Sequence, residues 1–255
     1  MDVDDAVATA RRLVAEHFPE ARAAWLAGSV VAGTATASSD LDVTVLLAGE
    51  PAPYRESLRY DGWPVELFVH TPATIGWWLG KDRARRRPSL ARLVAGGVRV
   101  LDVDGAAEGP EAECRAFLEA GPGPATEEEL AAARYALSDL LDDLADAPDP
   151  ELRTASAVAV WQAAAELRLL SAGGWWGSGK WLVRELRACD ARDGTSYAAR
   201  LDSGLRAALS GDRTWLTAAA TAVLDGAGGR LWEGHRAGGE VRADGAPRDG
   251  RPAGG

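Results

Sequence analysis

Gly121-Pro122-Gly123-Pro124 constrains this chain more than any other stretch. Two prolines, each without a backbone N–H, alternate with two glycines, so neither helix nor strand continues through it. The patterning differs on the two sides. Before the break, apolar runs of strand length alternate with amphipathic stretches; after it the pattern is helical throughout. Thr126 followed by Glu127-Glu128-Glu129 reads as a helix N-cap with acids in the first turn. Helices are expected over 127–145, 151–171, 180–190, 196–209 and 213–224, with breaks at 147–150 and at Gly173-Gly174. The reading is an α/β (α+β) domain over 1–122, an all-α helical bundle over 123–235, and a Gly-, Arg- and Asp-rich tail over 236–255 that is expected to be disordered.

Within the first part, Asp2 to Phe18 carries Val7, Leu13, Val14 and Phe18 at helical spacing. Strands are expected over 23–27, 41–47, 58–60, 64–69 and 98–102. Asp61-Gly62 is a hairpin turn signal between two of them. A short helix or helical turn is expected over 29–35, and another helical turn over 90–94. One helix begins at Pro72 with Thr71 as its cap, and another covers 108–120.

Asp40 and Asp42 lie at i and i+2 in a segment that reads as strand, so both side chains point to one face. Left alone they repel each other; a divalent cation between them resolves the repulsion. Gly28-Ser29 ends the preceding apolar run and opens the short helix. Backbone N–H groups at a helix start, with a serine hydroxyl beside them, suit a phosphate. A phosphate cradle followed by a metal-binding carboxylate pair is the layout of a nucleotidyl-transfer site.

Gly28-Ser29 followed by Asp40-Leu41-Asp42 resembles the signature of the polymerase-beta-like nucleotidyltransferases, and within them the minimal and aminoglycoside-type enzymes with a C-terminal helical bundle. The resemblance implies a mixed-sheet first domain and a third carboxylate on a later strand, a position that Glu66 matches as the one charge in Trp63–Val69. It implies Asp40, Asp42 and Glu66 as catalytic residues and ligands of two Mg²⁺ ions, with Gly28 and Ser29 on the nucleotide phosphates. The implied activity moves a nucleoside monophosphate, AMP from ATP or that of another NTP, to a hydroxyl of a small acceptor such as an aminoglycoside antibiotic. Two alternatives stand beside it: AMPylation of a protein, as in toxin–antitoxin nucleotidyltransferases, and a non-catalytic nucleotide-binding regulator. The chain departs from the pattern after Ser29, where Val31-Ala32-Gly33 stands in place of a basic or aromatic residue.

Composition narrows the partners. The formal net charge of −10 argues against a general nucleic-acid-binding surface. The apolar runs are too short to span a membrane, and the acidic start MDVDDAVATA is not a secretion signal, so a cytoplasmic protein is expected. Nothing fixes the oligomeric state, and a homo-oligomer stays open. Cys114 and Cys189 are read as small buried residues, since metal or disulfide spacing is lacking.

Three other stretches carry both a functional and a plain structural reading. Lys180, in Trp175-Trp176-Gly177-Ser178-Gly179-Lys180-Trp181, is placed as a phosphate contact or a surface lysine; the tryptophans are read as packing rather than base-stacking residues. Lys81 to Arg87 is a basic rim for triphosphate or a solvated helix end. Glu166 is a candidate general base or a solvated, Arg168-paired acid. The Gly-Ser-Gly-Lys run lacks the other parts of a Walker loop, and Arg230 to His235 has ribonuclease-like spacing in a Gly-rich segment, so both readings are set aside.

Overall fold

A computed structural model describes residues 2–236; the remainder of the expected tail lies outside the described residues. The chain separates into two compact units. The first runs to Gly123 and also takes in Gly173–Ser178; the second comprises Pro124–Ala172 and the chain from Gly179 onward.

The first unit holds α1 (Val3–His17), β1 (Ala23–Ala27), β2 (Leu41–Leu46), β3 (Tyr54–Tyr60), β4 (Trp63–His70), α2 (Pro72–Ala84), α3 (Ser89–Ala95), β5 (Val98–Asp102) and α4 (Glu108–Ala120). The strands form one mixed sheet in the order β3-β4-β2-β1-β5. β2 and β4 are parallel, and the other neighbours are antiparallel. Asp61 and Gly62 both take positive φ, 48° and 84°, as the tight β3–β4 turn requires. β3 starts earlier than its sequence suggests. Arg55-Glu56-Ser57 is polar on both faces, which an edge strand tolerates because only one of its sides must be covered.

The two sheet faces build two cores. Ala24, Leu26, Leu41, Val43, Val45, Val65, Leu67 and Val69 pack with Ala6, Ala10, Leu13 and Val14 of α1. Ala23, Trp25 and Leu46 face the other way, against Ile75, Leu79, Leu90, Val94, Cys114 and Phe117 of the later helices. This alternation is the period of two read through each strand. On the second face, Glu111 of α4 accepts from the indole N–H of buried Trp25 at 2.8 Å and from Arg99 of β5 at 2.7 Å. These bonds, led by Arg99, lower the Glu111 pKa to about 2.

Two stretches that carried two readings have definite contacts. In the basic run at the end of α2, Lys81, Arg85 and Arg87 are exposed, whereas two of its arginines are held by backbone. Arg83 and Arg86 donate to the carbonyl oxygens of Gly121 and Gly123 at 2.8 and 2.9 Å, and Asp82, 3% exposed, accepts from the Leu90 N–H at the start of α3. Trp175 stacks on Phe117, with centroids 5.0 Å apart, so Gly173–Ser178 is anchored on α4.

The second unit holds α5 (Glu127–Asp146), α6 (Pro150–Ser171), α7 (Lys180–Asp193), α8 (Tyr197–Leu209) and α9 (Thr214–Gly226). Thr126 closes a capping box with Glu129, and Asp149 caps α6. Leu137, Leu141, Val160, Leu167, Leu186, Leu201, Leu216 and Leu224 are among its buried residues. Gly204 lets α8 approach α9 closely: a Cβ there would lie 2.7 Å from the Leu216 Cα. Cys114 and Cys189 are both free and buried. No helix among the described residues is long and apolar enough to cross a membrane.

Candidate active site

The parallel pairing of β2 with β4 sets Asp42 directly beside Glu66 in register. Asp40 precedes β2 by one residue, and its carboxylate joins the other two. One oxygen from each of Asp40, Asp42 and Glu66 lies within 4.8 Å of the others, and all three residues are half-buried. Their sheet face grades from covered to open. Ala23, Leu46 and His70 are buried at one end, Trp25 and Thr44 are buried with Phe68 half-buried in the middle, and Asp42 and Glu66 stand half-buried at the other end. Burial lowers the His70 pKa to about 4, so it is neutral at pH 7 and adds no charge to this face.

β1 ends at Ala27, opposite Asp42, and the chain turns at Gly28. Gly28 has φ +86°, and a Cβ there would lie 3.1 Å from the Asp42 Cγ and deep inside contact distance of its Oδ2. Only glycine meets both conditions. The close approach seats the turn against the carboxylate.

Residues 29–33 form a turn, the shorter of the two forms expected over 29–35. Ala32 N–H donates to Gly28 C=O, Gly33 N–H to Val30 C=O, and Thr34 N–H to Ser29 C=O, after which the winding stops at Gly33 with φ +67°. The opening N–H groups of Ser29, Val30 and Val31 have no backbone acceptor among the described residues, the situation of a helix start. Ser29 Oγ bonds Ser39 Oγ at 2.8 Å, and Ser39 Oγ accepts from the Thr36 N–H at 2.8 Å, which ties the turn to the segment leading into Asp40.

Sequence reasoning missed Arg55. From edge strand β3 its guanidinium donates to Glu66 Oε1 at 2.6 Å and lies 5.1 Å from the Phe68 ring centroid. Register alone would have found it, because Ser57 pairs with Glu66 and Arg55 with Phe68, but pairing is not readable from one strand's residues. Thr44 Oγ, one pleat below Asp42 and buried, has no hydrogen-bond partner among the described residues.

The other candidates lie apart from this cluster in the chain. Lys180 is the exposed first residue of α7 in the second unit. Glu166 of α6 accepts from Gln162 at 3.0 Å, while Arg168 pairs with Asp193 instead.

Three carboxylate oxygens within 4.8 Å of one another, two from adjacent strands and one from the residue before β2, fit a hard divalent cation such as Mg²⁺. No family model matches the chain, and no curated protein does. Among solved structures it is similar to a nucleotidyltransferase-like protein from Exiguobacterium sibiricum. That likeness has a TM-score of 0.41 and 14% identity, and covers 87% of this chain and 77% of the other.

Proposed function

We propose that the first unit is a Mg²⁺-dependent nucleotidyltransferase that moves a nucleoside monophosphate, AMP in the first instance, from an NTP to a hydroxyl of a small molecule. The observation that carries the reading is the convergence of Asp40, Asp42 and Glu66 beside a glycine turn seated on Asp42. Asp40, Asp42 and Glu66 are the residues that would hold the ions. Bound Mg²⁺ lowers the pKa of the acceptor hydroxyl and neutralises the leaving pyrophosphate.

The protein's own groups supply orientation. The N–H groups opening the 28–33 turn, with the Ser29 hydroxyl, hold the terminal phosphates and fix the direction in which pyrophosphate leaves. The acceptor oxygen forms its bond to the α-phosphorus as the bond from that phosphorus to the pyrophosphate oxygen breaks. The acceptor's proton passes to a carboxylate of the cluster, with Glu66 in that role. Resemblance to the aminoglycoside-type enzymes supports a small hydroxylated acceptor, and the net charge of −10 suits one that is cationic.

Calorimetric titration with ATP and with GTP, each with and without Mg²⁺, tests the reading. Binding should require Mg²⁺ and weaken at least about tenfold in Asp42→Asn, with the thermal midpoint preserved, because one anionic ligand is lost and the shape is kept. Equal nucleotide binding by wild type and Asp42→Asn would refute the site.

A further inference from the structure

We infer that edge strand β3 is the cationic wall of this site: Arg55 is a counter-ion on Glu66 that transfers to the triphosphate when the metal arrives, with Arg59 beside it. The inference deepens the nucleotidyl-transfer reading and rests on it.

Charge is the first argument. From Ala23 to Tyr54 the chain holds no Lys, Arg or His, so the turn at 28–33 and the approach to Asp40 contribute no side-chain cation. An NTP brings about four negative charges to a place that already holds three carboxylates. Two divalent ions leave that sum negative. Further positive charge must come from another element.

Register identifies the element. Arg55, Ser57 and Arg59 alternate onto one face of β3, opposite Phe68, Glu66 and Pro64 respectively. Tyr54, Leu58 and Tyr60 point the other way and pack on the α1 core. The two arginines therefore stand one pleat to either side of Glu66, on the face that carries the acids. Both are exposed, and Arg59 makes no ion pair among the described residues. Arg55 reaches Glu66 diagonally, with its guanidinium 5.1 Å from the Phe68 ring centroid, and keeps 60% of its side-chain surface in solvent. A pair this exposed is weak and exchangeable. When a cation takes the Glu66 oxygens, the guanidinium loses its partner and faces incoming phosphate, which it binds in bidentate fashion.

This exchange predicts effects of opposite sign from one substitution. Mn²⁺ binding alone, and binding of the non-transferable α,β-methylene analogues of ATP and GTP in saturating Mn²⁺, are measured by calorimetry on the full chain. In Arg55→Met, which keeps an unbranched side chain and removes the charge, Mn²⁺ alone should bind about two- to fivefold more tightly, because a competing cation has gone. The analogue should bind about tenfold more weakly, because a phosphate ligand has gone. Arg59→Met should leave Mn²⁺ binding unchanged and weaken the analogue severalfold. Looser Mn²⁺ binding in Arg55→Met would mean that Arg55 only positions Glu66, and unchanged analogue affinity in both variants would mean that β3 does not meet the nucleotide; either overturns the inference. Mn²⁺ binding that is present in wild type and lost in Asp42→Asn keeps the site reading in place through such a failure. Absence of Mn²⁺ binding in wild type overturns the site reading and this inference together.

Discussion

Gly28→Ala is the sharpest single perturbation of the site, because the structure gives two separable reasons for its cost. The first is conformational. Gly28 holds φ +86°, where an L-residue costs about 1 to 2 kcal/mol. The second is steric. The added methyl carbon would overlap Asp42 Oδ2 and lie 3.1 Å from Cγ, so the carboxylate must rotate away from the turn. An off-rotamer side chain costs about 0.5 to 1.5 kcal/mol. The sum is about 1.5 to 3.5 kcal/mol, read by urea denaturation. The rotation also takes a ligand away from Asp40 and Glu66, so Mn²⁺ affinity should fall about tenfold or more. A double-mutant cycle separates the terms. In an Asp42→Ala background the overlap disappears, and Gly28→Ala should then cost only about 1 to 2 kcal/mol. Additive costs, or a Gly28→Ala protein with wild-type stability and Mn²⁺ affinity, would refute the claim that the glycine exists to seat the turn on the carboxylate.

Two further predictions concern the sheet face that carries the site. Glu111 has its pKa lowered from 4.5 to about 2, so its bonds stabilise the fold above pH 4.5, and that stability is lost as pH falls from 4.5 towards 2. The difference corresponds to about 3 kcal/mol, which screening at the partly exposed Arg99 reduces to about 2. Glu111→Gln should lower the unfolding free energy by about that amount at pH 7 and flatten its fall in acid; an unchanged acid limb would show that the bonds are isoenergetic with solvation. Thr44→Val keeps the volume and removes a buried hydroxyl with no described partner, so stability should stay level or rise by up to about 1 kcal/mol with Mn²⁺ affinity unchanged. A loss beyond 1 kcal/mol in denaturant titration would show that the hydroxyl is bonded in solution.

Much of this architecture is legible in the sequence because it is local. The strands at 23–27 and 98–102 and the helix at 108–120 follow from periodicity and flanking breakers, and Thr71 and Thr126 cap their helices as their spacing predicts. The acid triplet is legible as residue types in order. What the sequence hides is pairing. Asp42 and Glu66 are neighbours only because β3 occupies the sheet edge and returns the chain to β4 alongside β2. Arg55 enters through the same geometry. The 29–35 stretch reads as a short helix or a helical turn, and the positive φ of Gly33 decides for the turn by ending the winding. Arg83 and Arg86 look like part of a solvated helix end by local rules; they reach carbonyls 38 and 37 residues away, at Gly121 and Gly123.

That stopped turn bears on how the site works. A full helix would add a dipole worth about half a positive charge to its N-terminal N–H groups. One turn presents N–H donors but sums few peptide dipoles, and its side chains carry no charge. The turn can therefore set the direction of the phosphates without supplying much of their binding energy. On the proposed reading that energy comes from cations: the divalent ions that Asp40, Asp42 and Glu66 would hold, and the arginine face of β3. The division assigns different consequences to the two walls. Changes in the turn that leave Asp42 in place should then act on the geometry of transfer, which is a turnover effect, whereas changes on β3 should act on nucleotide affinity. On the proposed reading an acidic protein can bind an anionic substrate, because the attraction is local to a strand edge and does not depend on the net charge of −10.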